Sequence, residues 1–355
     1  MIRGSGDPRA RPVLEAMREG RALFSLVLSY TRTAEIPGIT VAGAGPDSMM
    51  YTPPADAEYI EYGHCRCMDA IPTTPDGKPT PAVLTRAALI TAGLPHIAIN
   101  AGGPVRPQVP HIDAGIEPGG NIREGPAMTI SQARHALESG RHTGGKLASL
   151  CDCLIIGESV PGGTTTALAT LRGLNLPGPV SSSMPDNPTS LKEDVARAAL
   201  ERLGMDDPVS VASKVADPMI LFVCGMLQAA TESAYVALAG GTQMLAVLAL
   251  ASKLGYDHTR AVLATTSYIA EDPGIELARR VDTISPIPVL WTDPLLERSA
   301  HAGLRAYAAG FAKEGAGAGG ALVAARARTG AGAKQMQESI DAEYSRLTSG
   351  VRAPG

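Results

Sequence analysis

No run of apolar residues in the 355-residue chain reaches the roughly 18 needed to cross a membrane. The first twelve residues, MIRGSGDPRARP, lack the apolar stretch of a secretory signal. A cytoplasmic protein with no membrane partner is therefore expected. Positive charge is not in excess: 31 Lys and Arg face 35 Asp and Glu, and the basic residues are scattered. That leaves no electrostatic footprint for nucleic acid. Cysteine is scarce and odd in number. The five are Cys65 and Cys67, Cys151 and Cys153, and Cys224, which excludes a complete disulfide framework in a chain without an export signal. His64 with Cys65 and Cys67 offers soft ligand atoms, but a lone C-x-C does not define a metal site. Buried structural thiols are the favoured reading, with no metal and no cofactor expected.

What the chain has in quantity is glycine and proline, 39 and 28 residues, below the share associated with disorder. They punctuate apolar segments and predict tight loops in a folded protein. Length alone is compatible with two domains or with one α/β domain and an appendage.

Short β-type runs alternate with helical patterns, the signature of a parallel sheet with crossover helices. Strands are expected at 22–30, 95–100, 153–157, 233–241, 261–269 and 287–291. Helices are expected at 82–93, from a cap at Ser131, and at 164–174, 190–204, 217–232, 242–255 and the C-terminal AKQMQESIDAEYSRLT. Residues 101–130 read as one long Gly- and Pro-rich loop, and GMDDP (204–208) as a turn. In sheets of this kind ligands sit beyond the carboxyl ends of the strands. The segments that follow strands there, GESVPGGTTT, AGGTQ and the 101–130 loop, are all rich in glycine.

In GESVPGGTTTAL, Gly162 and Gly163 allow backbone N–H groups close to an anion, and Thr164 and Thr165 add hydroxyls at a helix start. A glycine turn with a threonine cap is the competing reading. The Gly-Lys-Ser/Thr ending of a Walker loop is absent, and so is G-x-G-x-x-G. Glu158, directly after a buried strand, must be solvated, paired or engaged by a ligand. A ribose hydroxyl would suit it, and Arg172 or Arg123 would be its ion-pair partner otherwise. In KEGAGAGG four glycines fall within 315–320, so the helix start can present bare N–H groups to an anion. Glu314 at its lip is either a chemical base or a first-turn residue favoured by the helix dipole. His111 and Asp113 lie in a loop that can close over the cleft, and satisfied loop hydrogen bonds are the favoured reading for both.

Taken together, GESVPGGTTTALATL, LAGGTQMLAVLALA and KEGAGAGGALVAA resemble the nicotinate-nucleotide–dimethylbenzimidazole phosphoribosyltransferases of cobalamin biosynthesis. The likeness runs over about residues 20–325 and is greatest to the archaeal and cyanobacterial branch of that family. It implies an α/β fold with a Rossmann-like, mostly parallel sheet flanked by helices and a smaller helical part. The terminal segments 1–19 and 326–355 are expected to be mostly helical or flexible. It also implies a homodimer and transfer of phosphoribose from nicotinate mononucleotide to an azole acceptor. By the resemblance, Glu314 is the general base. Glu158, Gly162, Gly163, Thr164 and Thr165, then Gly240, Gly241 and Thr242, then Gly315 and Gly317, contact substrate. This chain departs from the family pattern at Val160 and Pro161, at Gly163 where the family has Asn, and at Gly240-Gly241 where it has Asp-Gly. The two adjacent acids that a phosphoribosyl pyrophosphate site carries after an apolar strand are missing. A non-catalytic nucleotide-binding homologue and a nicotinamide-dependent oxidoreductase are the alternatives.

Overall fold

The computed structural model describes residues 1–42, 46–74, 77–182 and 184–349; the end of the terminal segment, 350–355, lies outside them. After the N-terminal helix α1 (Arg11–Glu19), β1 (Ala22–Leu28) leads to α2 (Thr52–Tyr62) and α3 (Ala82–Ala92). Next come β2 (His96–Asn100), β3 (His111–Asp113), α4 (Ile130–Ala148), β4 (Cys153–Ser159) and α5 (Gly163–Gly173). Three helices follow, α6 (Thr189–Leu200), α7 (Pro208–Val215) and α8 (Pro218–Ala230), then β5 (Tyr235–Ala239) and α9 (Thr242–Leu254). The chain continues through β6 (Ala261–Thr266), α10 (Ser267–Ala270), α11 (Leu277–Ile284), β7 (Val289–Thr292) and α12 (Ala302–Arg305). It ends with α13 (Ala318–Thr329) and α14 (Ala333–Thr348).

The seven strands form one sheet in the order β3-β2-β1-β4-β5-β6-β7, with every pairing parallel. Both faces are covered, as a parallel sheet requires. Side-chain alternation divides the core in two. Leu154, Ile156, Val236 and Leu238 face α4, α5, α8 and α9, while Cys153, Ile155, Ala237 and Ala239 face α1, α3 and α13. Strand order reverses between β1 and β4, the topological switch point where open α/β sheets take their ligands.

Four expectations need local correction. The helix expected from a cap at Ser131 begins two residues earlier: Thr129 is the cap, and with Gln132 it closes a reciprocal capping box. The 101–130 loop contains the short edge strand β3. The helix expected at 217–232 is preceded by a separate one, α7. Asp207 caps α7 and Asp217 caps α8, each with Pro at the first helical position, so two starts stand where one was expected. The strand expected over 261–269 stops at Thr266, and the chain turns at once into α10.

Two close approaches set the geometry near the site. On the α4–α8 contact, a Cβ at Gly140 would lie 2.0 Å from the Phe222 carbonyl oxygen, and one at Gly225 would lie 2.1 Å from that of Leu137. At the other face α14 is tied down by a buried cluster. Glu343 accepts from the Tyr59 hydroxyl at 2.9 Å and pairs with Arg86 at 2.9 Å and Arg346 at 2.7 Å.

Candidate active site

Beyond the carboxyl ends of β4, β5 and β6, three helices begin at the rim of one cleft. Its walls include Thr40, Asp56, Thr80, Pro81, residues 158–164, Ser181, residues 241–243 and residues 312–316. Helix α5 starts after Gly162 (φ +74°), with no side chain capping it. Helix α9 starts after Gly241, also without a side-chain cap. The third start, α13, is occupied from within.

Glu314 folds back over the α13 start. Its Oε1 accepts the Gly319 N–H at 2.9 Å and the Gly315 N–H at 3.3 Å. Its Oε2 accepts the Thr266 N–H at 3.0 Å and the Thr265 hydroxyl at 3.1 Å. The expectation that this helix start offers bare N–H groups to a ligand is therefore corrected: the Glu314 carboxylate takes the Gly319 N–H itself. The glycine run is explained by packing. A Cβ at Gly319 would lie 2.2 Å from the Thr265 carbonyl carbon, one at Gly320 2.2 Å from Ala239 Cβ, and one at Gly317 2.8 Å from Phe24 Cζ. Only bare backbone lets α13 sit directly on strand ends, and that contact carries Glu314 to the cleft. Burial pushes its carboxyl above the usual range, opposed by these four hydrogen bonds.

Glu158 closes the floor at the end of β4. It is 3% exposed, and among the described residues no arginine pairs with it; Arg172 pairs with Glu193 instead. Burial lifts its carboxyl well above the ordinary range. The nearby Asp217, Glu314 and Asp56 push the same way, and a hydrogen bond from Gln243 pulls back. Gly163 leaves the room for that amide, since a Cβ there would lie 1.7 Å from Gln243 Oε1.

Of the candidate residues, Glu158, Gly162, Gly163, Thr164, Gly241, Thr242, Glu314 and Gly315 line the cleft. Thr165, Gly240 and Gly317 sit behind its surface. Thr165 is fully buried, and Gly317 is packed against Phe24 and Gly157. Gly240 donates its N–H to Ala264, and a Cβ there would reach Met244 Cγ at 2.9 Å. His111 bonds the Val109 carbonyl, and Asp113 pairs with Arg106, so both are satisfied within the loop. Among the described residues, no group of three or more His, Cys, Asp or Glu is arranged to hold a metal. Glu58 accepts the N–H groups of Arg66 and Cys67, pinning the first C-x-C turn, and burial pushes the Cys67 thiol up to about 12.

Sequence reasoning missed Asp56, Thr80, Ser159, Ser181, Lys192, Gln243, Thr265 and Thr266. Asp56 accepts the Thr80 and Ser159 hydroxyls, each at 2.7 Å, and burial raises its carboxyl to about 6. Ser181 bonds Thr242 at the α9 start. Behind it the buried Lys192 ammonium donates to the Ser181 carbonyl at 3.0 Å, with burial lowering it to about 8. The one available signal was acidic residues inside the apolar segment TPPADAEYIEY.

Comparison with known proteins bears on what this cleft does. Residues 77–282, more than half of the chain, match the sequence profile of a family described as Phosphoribosyltransferase. The chain belongs to this phosphoribosyltransferase family. It is 45% identical over 331 residues to a "UPF0284 protein" of Archaeoglobus fulgidus, covering 93% of this chain and 95% of the relative. A "UPF0284 protein" of Methanothermobacter thermautotrophicus is 41% identical over 337 residues, 91% of each chain. This phosphoribosyltransferase therefore sits with archaeal relatives. The crystal structure of nicotinate-nucleotide–dimethylbenzimidazole phosphoribosyltransferase from Thermus thermophilus shares its fold. The TM-score is 0.60 at 18% identity, covering 96% of this chain and 90% of that one. CobT from the same organism matches equally, at 0.60 over 95% and 91%. Among the described residues no helix is long and apolar enough to cross a membrane.

Proposed function

We propose that this phosphoribosyltransferase moves phosphoribose from nicotinate mononucleotide to an azole nitrogen, giving an α-ribotide and nicotinate. One observation carries the reading: two carboxylates, the buried Glu158 and the partly buried Glu314, line a cleft flanked by two helix starts without side-chain caps. The donor and acceptor named for the Thermus thermophilus enzyme support the same substrate classes. Lower-ligand activation in cobalamin synthesis, by a cytoplasmic homodimer, belongs to this proposal.

The phosphate sits at the starts of α5 and α9, where Gly162, Thr164 and Thr242 present N–H and hydroxyl groups, the Gly163 N–H being donated to the Val160 carbonyl. Lys192 adds positive potential from behind Ser181. Glu158 accepts the ribose hydroxyls. As the C1–N bond breaks, its electron pair neutralises the pyridinium nitrogen, so nicotinate leaves without a proton. Positive charge builds on the ribosyl carbon, as in glycoside cleavage, and the two carboxylates stabilise it. The azole nitrogen attacks, and Glu314 takes the proton from the other ring nitrogen. Of the four donors on Glu314, the rotatable Thr265 hydroxyl and the long Gly315 contact are the two that an azole N–H can replace.

A second assignment follows from that crowding. Glu314 already accepts four hydrogen bonds, whereas among the described residues Gln243 is the one side chain that bonds Glu158, which favours Glu158 as the base and Glu314 as a helix cap in this second assignment. Mass spectrometry after incubation with nicotinate mononucleotide, a panel of azoles and a chelator tests the reaction. Ribotide with released nicotinate is expected, and neither product nor mononucleotide binding would refute it. Comparing Glu314→Gln with Glu158→Gln then decides the base, since the base variant loses kcat and the other chiefly raises KM.

A further inference from the structure

The cleft wall beside Glu314 is built to present hydrogen-bond acceptors. Thr52 and Asp56 lie one turn apart on the same face of α2, and both line the cleft. Asp56 is 3% exposed and makes no ion pair among the described residues. Its two oxygens take the hydroxyl protons of Thr80 and Ser159. A hydroxyl has one proton and two lone pairs; with their protons directed at Asp56, Ser159 keeps two lone pairs and Thr80, which also accepts the Ala82 N–H at 3.3 Å, keeps one for the cleft that both line. Among the described residues Thr52 Oγ1 has no hydrogen-bond partner. Pro81, next to Thr80, packs on Gly315, where a Cβ would lie 3.2 Å from Pro81 Cγ. This wall therefore adjoins Glu314, where the reading above seats the acceptor.

We infer that Asp56, acting through Ser159 and Thr80, selects an azole that carries a hydroxyl or amino donor on the ring edge remote from the reacting nitrogen. The inference rests on the acceptor assignment of the proposed function. An ionised carboxylate cannot donate, so it fixes the polarity of both hydroxyls it holds. An apolar ring edge would leave Thr52 Oγ1 and the remaining lone pairs of Ser159 and Thr80 without a donor, whereas a ring-edge donor satisfies them. Sites built to hydrogen-bond a substrate group discriminate strongly against the analogue that lacks it. Asp56 is a positioning residue for specificity and takes no part in the proton transfer itself.

Calorimetric titration of the full chain with 5-hydroxybenzimidazole and 5-methoxybenzimidazole tests this, because both carry the oxygen and only the first carries the proton. The hydroxyl compound should bind about 10- to 100-fold more tightly. Asp56→Asn keeps the shape, but its amide donates to one of the two hydroxyls and turns that proton into the cleft. The ratio should then fall to within about threefold, mainly through better binding of the methoxy compound. Ser159→Ala, which leaves the Asp56–Thr80 bond in place, should also shrink the ratio. Equal wild-type affinities, or an Asp56→Asn variant that weakens both ligands alike, would overturn the inference. Discrimination in binding without any ribotide would sink the reaction and keep this wall's role. Ribotide formed from both compounds at equal kcat/KM would do the reverse.

Discussion

Replacing Glu314 with Gln should reduce turnover and stability together, by amounts the hydrogen bonds set. The amide must place its NH2 on one of two sides. Facing Gly315 and Gly319 it would oppose two backbone N–H groups. Facing Thr265 and Thr266 it opposes only the Thr266 N–H, because the Thr265 hydroxyl can rotate to accept. The second placement is the cheaper, and it leaves one buried donor unpaired, at a cost of about 1–3 kcal/mol. For 355 residues, with an unfolding entropy of about 2 cal/mol/K per residue, that lowers Tm by about 1–4 °C. Loss of a general base should lower kcat by about 10²- to 10⁴-fold, with mononucleotide affinity little changed. The assay pairs differential scanning calorimetry with single-turnover nicotinate release, run well below the transition. A drop in Tm with turnover intact would leave Glu314 as a helix cap and move the base to Glu158. If neither quantity changes, the hydrogen bonds described here do not hold in solution.

Three further outcomes follow. Gly140→Ala should destabilise the α4–α8 contact by about 1–3 kcal/mol through overpacking. Gly145→Ala, whose Cβ would meet Ala229 Cβ at an ordinary 3.7 Å, should gain up to about 1 kcal/mol of helix propensity; denaturant melts that rank them the other way would refute the packing. Asp56 and Asp217 are both raised from 3.8 to about 6 by burial. The folded state therefore binds more protons between those values, and stability falls as pH rises through about 6, on the order of 3 kcal/mol for each group. Asp217→Asn should flatten its share of that slope in melts from pH 4 to 8, and an unchanged slope would count against it. Gly163→Ala should push the Gln243 amide off Glu158 and raise the KM for mononucleotide as Gln243→Leu does; a KM equal to wild type would mean that this amide has no part in binding.

The short β-type apolar runs and the glycines that follow them determined the α/β alternation, the approximate strand positions and the loops that face ligand. These are local properties, fixed by side-chain spacing and by backbone that must bend where strands end. Glu158, Gly162, Gly163 and Glu314 were legible because they stand beside such punctuation. Gln243 was not, because nothing local separates a buried polar residue inside a helix from a solvated one, and for Asp56 the one local hint was its place among the apolar residues of TPPADAEYIEY. The glycines of 315–320 show the limit most clearly. The sequence marks a place where backbone must come close to something, and only the folded chain decides that it is Thr265, Ala239 and the carboxylate of Glu314. What a close approach meets depends on segments about 50 to 290 residues away, brought together by the order of strands in the sheet.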